Sequence, residues 1–386
     1  MVAFKDYFDR AAAKELGTRV AASAQARGVS FDAAAFVKGA TRGLTKLEFH
    51  DRVGLFAESL HAQLPESVPE ALVVLVGAME PPMEGTSDVT DGYLHWPMGE
   101  FIRRYGTAHF EASFNAMIEL TQRFSSEFAV RPFVRDEPVR TLKRLQSLTD
   151  HPSAHVRRWC SEGIRPRLPW GEKLAALAND PSPMLPILDA LIDDPVRYVT
   201  RSVANALGDI AKDHPERAVA IAGEWLERPL GAPVHGDARS DDARRQEREW
   251  IVRHGLRHPI KQGHPGALKL FGYGSPGKLA LTLAIKPKRV KIGGSTQLTL
   301  QLKNKGRTKL RLLIDYRVHY IKKSGKPSPK VFKWTEVELA AGEERTLEKK
   351  QSLKPASTRA LYPGEHVVDV QVNGRLFEGA SFKLTR

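Results

Sequence analysis

From Phe4 to about Phe271 the apolar positions recur at three- and four-residue spacings, in segments such as VGLFAESLHAQL, PEALVVLVGAM, ASFNAMIELTQRF and AVAIAGEWLERPL. That period predicts amphipathic helices, and no strand-like alternation interrupts it. The helices are short and are punctuated by Asp-Pro or Asp-x-Pro steps, where aspartate suits an N-cap and proline the first turn. Two such steps align: Asp150, Pro152, Val156 and Arg158 match Asp193, Pro195, Val199 and Arg201 at an offset of 43 residues, with DHPERAV from Asp213 to Val219 as a weaker echo. The offset lies within the roughly 40–47 residues of HEAT-type helix pairs, so the pattern predicts an all-α HEAT-like repeat solenoid. Equivalent positions of successive repeats then line one concave surface. Glu162 and Asn205 share such a position, and Asp209 lies one helical turn beyond Asn205.

The pattern changes at FGYGSPGK, residues 271–278, after which period-two alternation takes over. LALTLAI, STQLTLQL, RLLIDYRVHYI, VFKWTEVEL, RTLEKKQSL, HVVDVQV and FEGASFKL read as strands, with Asn373-Gly374 as a hairpin turn. The expected organisation is a helical domain over 1–272, a glycine-rich hinge over 273–278 and an all-β immunoglobulin-like sandwich over 279–386.

Charge changes this picture more than composition does. Residues 275–386 hold 24 lysines and arginines against 9 aspartates and glutamates, a balance of +15, while the preceding residues hold 35 against 36. The whole excess therefore sits in the β segment, which points to a polyanionic partner; a solubilising surface is the alternative. No apolar run approaches the roughly 18 residues of a membrane span, so no membrane partner is expected. The opening MVAFKDYFDRAAAKELG reads as an amphipathic helix instead of a secretion signal. With one cysteine, Cys160, no disulfide can form within the chain, and a cytoplasmic location is expected. There is no GxxxxGK[ST] loop, HExxH or CxxC motif, and the 13 histidines are scattered; His151, His214 and His264 each precede a proline, a structural position. Neither a metal nor a cofactor is expected.

The stretches FSSEFAVRPFV, HVRRWCSEGIRPRLPW and YVTRSVANALGDIAKDHPE, in that order, resemble the AlkC branch of the AlkC/AlkD HEAT-like-repeat DNA glycosylases. The resemblance runs from about Phe4 through GHPGALKLFGYG, and some members of that branch carry a C-terminal immunoglobulin-like domain. It implies hydrolysis of the N-glycosidic bond of N3-methyladenine and N3-methylcytosine in duplex DNA without flipping the base; a monofunctional enzyme is expected because the carboxylates come with no evident Schiff-base amine. It also implies a set of site residues: Glu127, Glu162 and Asp209 as acids and Trp170 as an aromatic wall. Gly208 departs from the family, which often has asparagine before the aspartate, and a more flexible backbone there bears on how Asp209 is held.

An N3-alkylated base already carries positive charge, so cation develops on the deoxyribose as the bond stretches. Carboxylates beside that sugar would stabilise the oxocarbenium ion, with Asp209 favoured to position water. The bland readings are an ion pair for each acid, a helical i, i+4 bridge from Glu127 to Arg131, and for Pro169-Trp170 a packed contact at a helix start. Arg158, Arg165 and Arg201 are candidate phosphate contacts on the concave face. Lys286, Lys288, Arg289, Lys291, Lys303, Lys305 and Arg307 are the candidates in the β segment. No lysine suited to a Schiff base stands out, and a monomer is expected. The competing functions are a non-enzymatic scaffold of the same architecture that binds DNA or protein, and a glycosylase for a bulkier adduct.

Overall fold

The computed structural model describes residues 4–86, 92–356 and 360–386. Helices occupy the chain up to Leu270 and strands begin at Leu279. The expected amphipathic helices form with their apolar faces inward. In Arg10–Gln25, for example, Ala13, Leu16, Val20 and Ala24 are buried, and Asp9 caps the first turn by accepting from the Ala12 N–H at 2.8 Å. The division into compact units does not follow the change from helix to strand. One unit runs to Asp213 and resumes at Glu224–Gly255; the other combines His214–Gly223 with Leu256–Arg386.

In the first unit, the helices Ala154–Glu162 and Arg197–Asp213 pack side by side, and Arg197–Asp213 also packs on Asp241–Gly255. Helix Arg197–Asp213 runs unbroken through Gly208, so Asp209 is held by regular helical backbone. Helices Ala154–Glu162 and Arg197–Asp213 start 43 residues apart, as the aligned steps imply, but the acceptor at the second start lies one residue after the aligned aspartate. Asp194, not Asp193, accepts from the Val196 N–H at 2.9 Å and from Arg157 Nε at 2.6 Å, while Asp193 receives Arg248. The Arg157–Asp194 pair is buried on both sides, and Arg157 also donates to the carbonyls of His151 and Pro152, which ties one repeat to the next. Removing one partner strands the other charge in the core, at a cost of about 3–5 kcal/mol. Asp194→Ala is therefore expected to lower unfolding free energy by about that amount, read from the denaturant midpoint.

Among the described residues, the second unit contains eight strands: β1 Leu279–Lys286, β2 Arg289–Lys291, β3 Ser295–Asn304, β4 Leu310–Ile321, β5 Pro327–Leu339, β6 Glu344–Ser352, β7 Gly364–Val372 and β8 Arg375–Thr385. They form sheets ordered β1-β3-β6 and β2-β8-β7-β4-β5, enclosing Leu298, Leu300, Ile314, Trp334, Val370 and Phe382. Strand β2, parallel to β8, is too short to show in the alternation. Asn373-Gly374 makes the expected β7–β8 turn, with φ of 45° and 81°. Two short helices belong to this unit, Arg257–Gln262 and Pro265–Leu270; His264 caps the second by accepting from the Ala267 N–H. Gly263, at the end of the first, sits against the hairpin turn. A Cβ on Gly263 would come within 2.5 Å of Gly374 Cα, and both glycines have positive φ. Among the described residues, no helix is long and apolar enough to cross a membrane.

Candidate active site

Glu127 lies in the turn before helix Arg131–Asp136, Glu162 ends helix Ala154–Glu162, and Asp209 lies in the last turns of Arg197–Asp213. The fold brings all three together through a ladder of alternating charge. Arg158 Nη1 lies 2.6 Å from Glu127 Oε2, and Arg158 Nη2 lies 3.5 Å from Glu162 Oε1. Arg165 continues the ladder, with Nη1 2.6 Å from Glu162 Oε1 and Nε 3.0 Å from Asp209 Oδ2. Lys212 Nζ closes it at 3.2 Å from Asp209 Oδ1. Except for Lys212, every side chain in the ladder is largely shielded from water.

Burial pushes the Glu162 carboxyl up, but Arg158 and Arg165 outweigh it and hold the group below the usual carboxylate range; the Ser202 hydroxyl also donates to it. Ser202 in turn accepts from Ser161 at 2.7 Å, which fixes the hydroxyl across the repeat interface. Burial opposes the charge on Arg158 and on Arg165, yet the carboxylates hold both guanidiniums above their ordinary pKa. Arg158 also lies over the Tyr198 ring at 5.2 Å and donates to Ser125 Oγ.

The expected i, i+4 bridge between Glu127 and Arg131 is not made. Residues 127–130 form a turn, so the helical spacing is lost, and the Arg131 guanidinium is directed inward. It donates to the carbonyls of Gly163, Arg165 and Glu172, at 3.2 Å for Gly163 and 3.1 Å for Arg165. Burial lowers its pKa to about 10. Arg131 thus fastens the loop that carries Arg165 and Trp170. Trp170 does not start a helix: it sits in that loop with φ of 64°, a strained backbone for a bulky residue, and its side chain is 67% exposed. Its ring neighbours are Phe4, Phe49 and His50 at centroid distances of 6.2, 6.0 and 6.5 Å, and it borders a hollow of about 290 Å³ that none of the three acids lines.

Among the candidate phosphate contacts, Arg158 and Arg165 are occupied by carboxylates, whereas Arg201 is exposed and has no ion-pair partner among the described residues. In the β unit, all seven candidates are exposed. They do not make one patch. The antiparallel register of β1 and β3 sets Lys286 opposite Gln297 and Leu279 opposite Asn304, so Lys286–Lys291 and Lys303–Arg307 lie at opposite ends of the pair. At about 3.3 Å per residue those ends are roughly 23 Å apart. Lys303 also pairs with Glu344 at 2.5 Å.

Sequence reasoning missed Lys212, Ser202 and Tyr198. Lys212 was legible in principle, because it lies three residues after Asp209 on one helix. Among the described residues, no cluster of histidine, cysteine, aspartate and glutamate has the arrangement of a metal site.

Residues 280–386 match the family model described as the C-terminal Ig-like domain of uncharacterised protein YhaZ. Over 340 residues the chain is 35% identical to uncharacterized protein YhaZ of Bacillus subtilis (strain 168), covering 88% of each. The structure of Pseudomonas fluorescens alkylpurine DNA glycosylase AlkC, bound to DNA containing an abasic site analog, aligns with a TM-score of 0.85 at 33% identity and covers 100% of both chains. Likeness of this extent, spanning both the helical-repeat region and the Ig-like sandwich, shows that the chain belongs to the AlkC/YhaZ family.

Proposed function

We propose that this protein is a DNA glycosylase that hydrolyses the N-glycosidic bond of cationic N3-alkylated bases, 3-methyladenine and 3-methylcytosine, in duplex DNA. The observation that carries this reading is the convergence of Glu127, Glu162 and Asp209 on one ladder beside the exposed cations Arg201 and Lys212. The likeness to AlkC, named as an alkylpurine DNA glycosylase, supports it. The enzyme acts as a monomer in the bacterial cytoplasm, and its basic Ig-like sandwich adds to DNA binding.

In the free protein the guanidiniums of Arg158 and Arg165 cover the acids. DNA phosphates compete for those guanidiniums, and the carboxylates then face the deoxyribose of the lesion. The bond from C1′ to the base nitrogen breaks with its electron pair going to the cationic base, which leaves neutral. Glu162 and Asp209 stabilise the oxocarbenium ion in a poorly solvated setting, where such interactions are strong. Water held by Asp209 attacks C1′ and gives its proton to that carboxylate. A base that departs neutral needs no acid in a deep pocket, so it can leave without being flipped.

The test is incubation with duplex DNA carrying N3-methyladenine, followed by detection of free base. One observation favours the scaffold reading: every acid of the ladder already has a cationic partner. DNA binding with no base released would decide for it. The expected product is an abasic site in an uncut strand. Lys212 Nζ is engaged by Asp209 Oδ1 at 3.2 Å, which disfavours it as the nucleophile of a Schiff base. Borohydride should therefore trap no enzyme–DNA adduct, and an adduct abolished by Lys212→Ala would overturn the monofunctional assignment.

A further inference from the structure

The register position that holds Glu162 in one repeat holds Asn205 in the next, and the ladder does not use it. His254, on helix Asp241–Gly255, donates from Nε2 to Asn205 Oδ1 at 3.2 Å. That contact orients the carboxamide through its oxygen, and its two N–H donors have no protein acceptor among the described residues. His254 is itself held. Its ring stacks on Trp250 with centroids 4.9 Å apart and planes 24° apart, and the Arg197 guanidinium lies 3.8 Å from the centre of the same indole. Arg197 pairs with Glu247, which accepts from Thr200 at 2.7 Å. The array is therefore built from both helices and ends on one half-buried amide with unspent donors.

Arg201, Asn205 and Asp209 follow one another at single turns of helix Arg197–Asp213, with a rise of about 6 Å per step. A carboxylate at position 205 would repel a phosphate; a carboxamide offers it two hydrogen bonds, and Arg201 one turn earlier offers charge. We propose that Asn205, aimed by His254, and Arg201 together bind the phosphate of the damaged nucleotide and set its deoxyribose beside Asp209. This rests on the glycosylase reading. Asn205 touches the substrate; His254 is a positioning residue that acts through it.

The experiment measures affinity for a duplex containing a non-hydrolysable abasic-site analogue, so that binding is read without excision. Asn205→Ala and His254→Ala should each weaken binding about tenfold at unchanged melting temperature, which corresponds to about 1.4 kcal/mol. The double variant should be no weaker than either, because His254 acts only through Asn205. His254→Gln, which keeps an N–H donor, should restore binding to within about threefold of the unsubstituted protein. Asn205→Ala should leave the slope of log affinity against log salt unchanged, whereas Arg201→Ala should reduce it by about 0.9, the value of one phosphate contact.

Normal binding by Asn205→Ala, or multiplicative losses in the double variant, would overturn the proposal. If His254→Ala unfolds, the His254→Gln and Asn205→Ala pair decides in its place. The two readings fail separately. Expected binding losses without any release of alkylated base would remove the glycosylase reading and keep the strand contact; base release with normal binding by the variants would do the reverse.

Discussion

In single-turnover excision, Asp209→Asn and Glu162→Gln are each expected to be slower than the unsubstituted enzyme by roughly 10² or more, the scale set by loss of a preorganised electrostatic group. Both substitutions are nearly isosteric, and the amide oxygen can still accept from Arg165, so the loss belongs to charge more than to shape. Affinity for the duplex should be unchanged or higher, because a negative charge near phosphate has been removed. Arg158 and Arg165 hold the Glu162 carboxyl below the usual carboxylate range, so that group stays ionised to lower pH than an ordinary glutamate. Its contribution to excision is therefore present across neutral pH and is lost only as pH falls through its lowered folded-state pKa. Rates for both variants within threefold of the unsubstituted enzyme would make the ladder a structural brace and nothing more.

Deleting residues 275–386 should produce the second large effect, a loss of DNA affinity concentrated at low salt. The deleted segment carries the whole +15 balance. If several of its basic residues meet phosphates, log affinity should fall more steeply with log salt for the full chain than for the shortened one, by roughly 0.9 for each phosphate that the segment neutralises. Because Lys286–Lys291 and Lys303–Arg307 occupy opposite ends of the β1–β3 pair, the two groups are separable. Charge-neutralising substitutions confined to one group should remove only part of the slope difference. Equal affinities and equal slopes for the full and shortened chains would make the basic surface a solubility feature.

The helices and seven of the eight strands were legible because burial on one face writes its period into the sequence. The repeat register set Glu162 and Asp209 on one surface, but their role as site acids, and Glu127 altogether, was legible only through resemblance. Spacing sets Arg158 and Arg165 four and three residues from Glu162, but nothing in it announces that they reach on to Glu127 and Asp209, which they meet through tertiary packing. Arg131 shows the opposite failure: an i, i+4 spacing invited a helical bridge where the backbone makes a turn, and the guanidinium went to carbonyls about 32 to 41 residues away. For Trp170 the sequence offered an aromatic wall through the resemblance and a packed contact as the bland alternative, and it carries no mark of a left-handed backbone at a residue other than glycine. The count of basic residues was right, but counting takes no account of strand register, which divides them.

The Gly263–Gly374 contact bears on how such a chain can be reassembled by recombination. Helices Arg257–Gln262 and Pro265–Leu270 share a compact unit with the sandwich, and Gln371 Nε2 donates to the Lys261 carbonyl at 3.2 Å. The family boundary at residue 280 therefore passes through the interior of that unit. A crossover there would leave the incoming strands without the helices they pack on, and would force any new neighbour to present a glycine where Gly374 now meets Gly263. Exchange near residue 256 keeps the two glycines in one inherited block, so the heritable module is longer at its N-terminal end than the Ig-like fold alone.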